Sequence, residues 1–391
     1  FRSVPFAAPP VGPLRFARPQ PVTPWTGVKS AVAPAPLPPQ TPSRLSRVLG
    51  DYPLDCDEDC LYLNIATPGI DDTRRPVMVW LCGGAFLTGG NAISWYDGAR
   101  FASDHDIVFV GVNYRLGALG FLNLSGVSEG NLGVHDQVMS LRWVQENIAQ
   151  FGGDPSNVSV VGQSAGAIST LAILAMNDTH DLFQRAIMQS GRLATLATEE
   201  ASVKAGEQML AVTDVSPSSL STMPVEKLLE LQTRFIRSGA QLGSTATPFR
   251  PFAGGDFIPD NTVQAAARGS QGKSILMGWT RDEMAAFFSG SSDVLNASND
   301  AIDDVFRLYW GSNWEAGLAF TRARLPGAAI DDIFGHGLNE CMFAGSTVAF
   351  AESLADVNPA WLYRFDWAPS ASPFGACHCI DLPFMFGNTD S

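Results

Sequence analysis

Gly162-Gln163-Ser164-Ala165-Gly166 has the pattern G-x-S-x-G. In a sharp turn from strand to helix, that pattern lifts the serine hydroxyl to the helix N-terminus, where the dipole favours a developing anion. The flanking glycines let strand and helix approach closely. The context fits: Val158–Val161 reads as a short apolar strand and Ala165–Met176 as a helix of small residues. The chemistry implied is nucleophilic attack by the Ser164 hydroxyl.

A serine nucleophile needs a base, and the base needs an orienting acid. With this elbow the chain order is Ser, acid, His. His180, His336 and His378 follow Ser164. His180 lies in a polar loop just past the helix, and His336 stands between two glycines with no strand before it. His378 follows the apolar run Trp361–Phe365 through a loop rich in Pro, Ser and Gly, and is the base expected. The acid should follow a strand between Ser164 and His378. Ser274–Gly278 leads into Thr280-Arg281-Asp282-Glu283, which offers two carboxylates. Adjacent side chains diverge, so one of them faces the base, and position alone does not choose. An oxyanion also needs backbone N–H donors. The glycine-rich Trp80-Leu81-Cys82-Gly83-Gly84-Ala85-Phe86 and the amide of Ala165 supply candidates.

These residues need a rigid frame. Short apolar runs recur at Val77–Cys82, Ile107–Val112, Val158–Gly162, Ala186–Ser190, Ser274–Gly278 and Trp361–Phe365. Such runs read as strands buried on both faces, hence as a parallel sheet. Helical spacing links Val138, Leu141, Val144 and Ile148, and helices are also expected at Ala165–Met176, Val225–Arg237 and Phe343–Leu354. Alternation of strand and helix predicts a doubly wound α/β fold. Residues 1–59, rich in proline, read as an irregular cover containing a hairpin. Residues 192–270 break the alternation and read as a cap. No linker or repeat divides the chain, so 1–391 reads as a single domain.

Composition narrows the classes. Hydrophobic residues make up 46% of the 391, enough for a large core, and the net charge is −14. That charge repels phosphate backbones, so nucleic acid is not an expected partner. Val77–Tyr96 and Ser159–Met176 are uncharged, but glycines and polar residues interrupt both, so no membrane span is expected. Six cysteines are too few for a disulfide scaffold; Cys56 and Cys60 are spaced to pair locally, with two free buried thiols as the equal alternative. Cys377-His378-Cys379 lacks a second ligand pair at finger spacing, so no metal is expected. Gly269-Ser270-Gln271-Gly272-Lys273-Ser274 lacks the first glycine of a phosphate loop and precedes a strand instead of following one. Asn123, Asn157, Asn177 and Asn296 head sequons, which matter only in a secreted eukaryotic setting.

The chain resembles the type-B carboxylesterase/lipase family, which also holds the cholinesterases. The resemblance rests on Pro5-Phe6-Ala7-Ala8-Pro9-Pro10-Val11-Gly12-Pro13-Leu14-Arg15-Phe16, Glu58-Asp59-Cys60-Leu61-Tyr62-Leu63-Asn64, Asn113-Tyr114-Arg115-Leu116-Gly117, Gly130-Asn131-Leu132-Gly133 and Phe151-Gly152-Gly153-Asp154-Pro155. It implies an α/β-hydrolase fold and hydrolysis of small esters through an acyl-enzyme on Ser164, without a cofactor. It also implies Glu283 as the acid, His378 as the base, and the amides of Gly84, Ala85 and Ala165 as oxyanion donors. Cys82 stands where the family usually has His or Tyr, and Ala85 where it often has a third Gly. Family members begin ahead of Phe1 and continue past Phe384-Met385-Phe386-Gly387, so the resemblance implies a chain incomplete at both ends. Thr41–Cys60 holds Tyr52 but no Trp, which argues against a choline site. Phe86, Phe287 and Phe288 are candidates for an acyl pocket. Two other readings remain: a silent binding relative, which tends to lack triad members, and the same machinery acting on amides, polyesters or toxin esters. Compartment and oligomeric state are not legible.

Overall fold

The computed structural model describes residues 1–389 apart from Leu54, Thr195 and Asp256. Positions 390 and 391 of the expected domain, and Thr195 and Asp256 of the expected cap, lie outside the described residues.

Eight strands form one sheet: β1 (Val4–Pro5), β2 (Tyr62–Ala66), β3 (Arg75–Leu81), β4 (Val108–Val112), β5 (Gly153–Gln163), β6 (Arg185–Gln189), β7 (Ser274–Thr280) and β8 (Ala360–Phe365). Their spatial order is β1-β2-β4-β3-β5-β6-β7-β8. β1 and β2 are antiparallel to their neighbours, and every pairing from β4 to β8 is parallel. All six apolar runs are strands. Val77, Val79, Val108, Val110, Val158, Val160 and Ile275 are buried on one face of the sheet and Trp80, Phe109 and Val161 on the other, as continuous apolar strands require. β8 departs from the expectation: Trp361 and Leu362 are 55% and 45% exposed, because β8 is the edge of the sheet.

The N-terminal cover holds no hairpin among its described residues. β1 instead pairs forward with β2, tying the cover to the sheet edge. Cys56 and Cys60 are separate thiols.

Two helices position the elbow: α1 (Leu132–Asn147) and α2 (Ala165–Ala175). α2 is buried except at Ile168, and the helix Thr262–Gly269 packs closely on it, with Gly269 against the Leu174 carbonyl. The helix expected at Val225–Arg237 spans Val225–Ser238, and its Leu228, Leu231 and Phe235 join the main core. The sequence reading placed no helix between Met284 and Met342. The structure has Asn299–Trp310, Trp314–Arg324 and Ile330–Asn339 there. They enclose a second core built on Met284, Phe288, Phe306, Phe334 and Leu338. The expected helix at Phe343–Leu354 starts as a π-helical turn, Glu340–Gly345, before the α-helix Ser346–Leu354.

Candidate active site

β5 ends at Gln163 and α2 begins at Ala165, so Ser164 alone makes the turn. It does so at φ 57° and ψ −118°, a conformation that costs about 1–3 kcal/mol for a residue with a side chain. The main core holds it there. Its N–H donates to the Gln189 carbonyl at 2.8 Å. A Cβ on Gly162 would stand 2.2 Å from the Gly166 carbonyl oxygen, and one on Gly166 would stand 1.9 Å from the Leu81 carbonyl oxygen. Only glycine fits either place, which is why the motif has its spacing.

The Ser164 hydroxyl lies 2.9 Å from His378 Nε2, and His378 Nδ1 lies 2.5 Å from Glu283 Oε2. Glu283 is fully buried and His378 is 2% exposed. Of the two acids left open by position, Glu283 therefore faces the imidazole. The second Glu283 oxygen accepts from the Thr280 N–H at 2.8 Å, and the Glu283 N–H donates to Asn339 Oδ1 at 3.1 Å. Asp282 turns the other way. Its carboxylate accepts from Arg281 at 2.9 Å and from the Ala376 N–H at 2.8 Å, and its own N–H donates back to the Ala376 carbonyl. Asp282 thus ties the loop that carries His378 to the loop that carries Glu283. Gly375 at φ 59° makes this possible, since a Cβ there would meet Asp282 Oδ2 at 2.3 Å.

Burial disfavours the charged imidazole of His378. The Cys379 sulfur and the Glu283 carboxylate oppose this and hold its basicity well above the ordinary histidine value. Nearby, burial and the Glu283 charge push the Asp381 carboxyl up to about 6.

Gly84 and Ala85 lie in the expected loop at φ 117° and 56°. Their amides, and that of Ala165, donate to no protein acceptor among the described residues. The Gly84 carbonyl accepts from Leu87 and Thr88, and the Ala85 carbonyl accepts from the Thr247 hydroxyl at 3.0 Å, which orients the peptide units. Gly83 stands against Gln163 and Ser164, where a Cβ would be 3.0 Å from the Ser164 Cβ. The Gly83–Ala85 loop and Ser164 are therefore neighbours.

Two small cavities flank Ser164. One is bounded by Tyr52, Gly84, Trp95 and His378. The other is bounded by Phe86, Ala165, Phe287, Phe343 and three arginines. Of the three phenylalanines expected at a pocket, Phe86 and Phe287 are there, the latter with its ring 5.6 Å from His378. Phe288 is not: it packs edge-on against Phe334 in the second core.

The other candidates are accounted for structurally. Both ring nitrogens of His378 face Ser164 and Glu283, and among the described residues no three metal-binding side chains cluster. Lys273, of the would-be phosphate loop, donates to the carbonyls of His180 and Phe183. The Cys82 thiol is buried, which pushes it up to about 12 and leaves it unreactive. His336 sits 3.6 Å from Asp282, outside the Ser164 chain of contacts. Sequence reasoning missed Asn339, Asp282 as a tie, and Gln163, whose amide nitrogen lies 3.4 Å from His378 Nε2 and 3.2 Å from the Cys379 sulfur. Gln163 carried a signal, as the variable position inside the elbow. Asn339 carried none, because its partner is 56 residues away.

The model of the carboxylesterase family matches residues 1–390. A para-nitrobenzyl esterase of Bacillus subtilis is 37% identical over 397 residues, covering 100% of this chain and 79% of the relative. A phenmedipham hydrolase of Pseudarthrobacter oxydans is 34% identical over 400 residues, again covering 100% and 79%. Among solved structures, a thermophilic PNB esterase superposes with a TM-score of 0.86 at 36% identity, covering 100% of this chain and 80% of that one. No helix of the described residues is long and apolar enough to cross a membrane. The chain belongs to the carboxylesterase family, with its α/β-hydrolase fold, and is a carboxylic ester hydrolase.

Proposed function

We propose that Ser164 is the nucleophile of this hydrolase, His378 its general base and Glu283 the group that orients the base. The observation that carries this is the unbroken line from hydroxyl to imidazole to buried carboxylate, at 2.9 and 2.5 Å. His378 takes the Ser164 proton as the hydroxyl oxygen attacks the ester carbonyl. Glu283 stabilises the imidazolium that forms. The amides of Gly84, Ala85 and Ala165 hold the oxyanion, and losing one such donor typically costs about 3 kcal/mol. His378 then protonates the leaving alcohol, and water repeats the cycle on the acyl-enzyme.

The chain works in this reading as one α/β-hydrolase unit; within 192–270 the stretches at Arg192 and Thr245–Arg250 cap the entrance, while the helix Thr262–Gly269 packs on α2. Arg192, Thr245, Thr247 and Arg250 support that, since they border the cavity beside Ser164. A small-molecule ester is the substrate, and the net charge of −14 speaks against nucleic acid as a partner. The test is labelling with a fluorophosphonate, read by intact mass and peptide mapping. Stoichiometric modification at Ser164, lost in His378→Ala, is the expected result. Modification elsewhere, or none on folded protein, overturns the assignment. The para-nitrobenzyl ester named for the Bacillus relative is the first substrate to assay.

A further inference from the structure

The protein is strongly acidic, yet the cavity on the Ala165 side of Ser164 is bordered by Arg44, Arg192 and Arg250 and, among the described residues, by no acidic one. Among the described residues none of the three arginines has a carboxylate partner. Arg44 donates to the Thr245 carbonyl at 3.1 Å, and Arg192 lies 5.7 Å from the centre of the Tyr309 ring. Neither contact neutralises a charge. Arg250 makes no protein hydrogen bond among the described residues; burial and the charge of Arg192 both act against its guanidinium. Arg192 and Arg250 are half-buried and repel each other, which an anion between them would offset. Ser190 borders the same cavity, and its hydroxyl is fully buried with no hydrogen-bond partner among the described residues. Guanidinium forks and a free hydroxyl are donors that match a carboxylate. Their neighbours Phe86, Ile168, Phe287 and Phe343 are apolar and suit a short hydrocarbon spacer. At about 90 Å³ the space is far below that of a drug-sized site, so the spacer is short.

We propose that this esterase acts on small esters that carry a carboxylate a few atoms from the ester bond, the carboxylate being held by Arg192, Arg250 and the Ser190 hydroxyl. The proposal rests on Ser164 as nucleophile, because the cavity is defined by its position beside that hydroxyl. The carboxylate can belong to the acyl or to the alcohol part, and two pairs of esters separate these. Ethyl hydrogen succinate and its neutral isostere ethyl levulinate test the acyl side. Acetoxyacetate and its neutral isostere acetoxyacetone test the alcohol side. Hydrolysis is followed in a pH-stat near neutrality.

The expected result is a kcat/KM at least about tenfold higher for the anionic member of one pair, the scale of a charge-assisted hydrogen bond. In Arg250→Gln and in Arg192→Gln that ratio falls toward one, whereas Arg250→Lys keeps a clear preference. Equal or better turnover of the neutral isostere in both pairs overturns the proposal. So does a ratio that survives both Gln variants. Fluorophosphonate labelling of each variant at Ser164 reports a folded, assembled site. Labelled wild-type protein that turns over the neutral esters without favouring the anionic ones leaves Ser164 as nucleophile and overturns the carboxylate site alone. Wild-type protein without labelling at Ser164 overturns both readings.

Discussion

The two sides of the active site are built differently. The side of the proposed nucleophile is backbone work: Ser164 is held in a strained turn between β5 and α2, and a Cβ on either flanking glycine would stand about 2 Å from a carbonyl oxygen. The side of the proposed base is side-chain work. His378 and Glu283 sit on loops, joined by hydrogen bonds to each other, to Thr280, to Asn339 and through Asp282 to Ala376. Those loops lean on the second core, through Met284 and Phe343. Strain is affordable where a large core over-determines the backbone. Where the core is small, the geometry depends on many weak polar ties, each removable.

The largest expected effect separates strain from chemistry on the nucleophile side. Ser164→Gly and His378→Ala should each lower kcat by about 10⁶-fold. Ser164→Gly should also raise the stability of the fold by about 1 kcal/mol, since glycine adopts φ 57° without a side-chain penalty. His378→Ala should bring no such gain. Urea denaturation measures this, and a Ser164→Gly protein no more stable than Ser164→Ala would mean that the turn is not strained.

The next effect lies in the second core. Phe334 is fully buried against Phe288 and Phe306. Phe334→Ala should cost about 3–5 kcal/mol there and displace the Glu283 loop. A displacement near 1 Å typically costs about 10²-fold in rate. The fluorophosphonate reaction at Ser164 should slow by that order at temperatures where far-ultraviolet circular dichroism still reports the main sheet. Loss of both signals together would show that the two regions unfold as one.

A smaller effect is expected at the tie between the loops. Asp282→Ala removes the acceptor of the Ala376 N–H without touching the triad contacts. It should lower kcat about tenfold and leave KM nearly unchanged, with Asp282→Asn keeping much of the rate because its amide oxygen still accepts. An equal rise in KM would place Asp282 in substrate binding instead.

The same division explains what the sequence disclosed. The elbow, six strands and the glycine loop were legible because each is a local demand: apolar runs for buried strands, small residues where backbones touch. His378 was legible from chain order and its position after a strand. Glu283 was separated from Asp282 only by the family resemblance, because which carboxylate turns inward depends on Asn339 and Ala376, which are far away in sequence. The helices between Met284 and Met342 were missed for a related reason. They cover a separate core and interrupt the strand–helix rhythm that guided the reading. Phe288, an expected pocket residue, proved to belong to that core.

The smallest effect is in pH dependence, and it bears on how tightly the base side is coupled. Only the neutral imidazole can take the Ser164 proton. Burial lowers the basicity of His378, but the Cys379 sulfur and Glu283 raise it by more, so the neutral form appears only above the ordinary value of 6.5. The acid limb of kcat/KM, followed from about pH 5 to 9, should therefore have its midpoint above 6.5. Stability runs the opposite way. A histidine raised in the fold contributes stability below its unfolded value, and that contribution is lost as pH rises through the folded value. Activity should rise over the range in which this part of the stability declines. Glu283→Gln removes one of the groups that favour the imidazolium, so its residual activity should show an acid limb at lower pH. A limb at or below 6.5 in the wild type would mean that burial outweighs both partners. The base side would then be held by packing more than by charge, and the contrast with the nucleophile side would narrow.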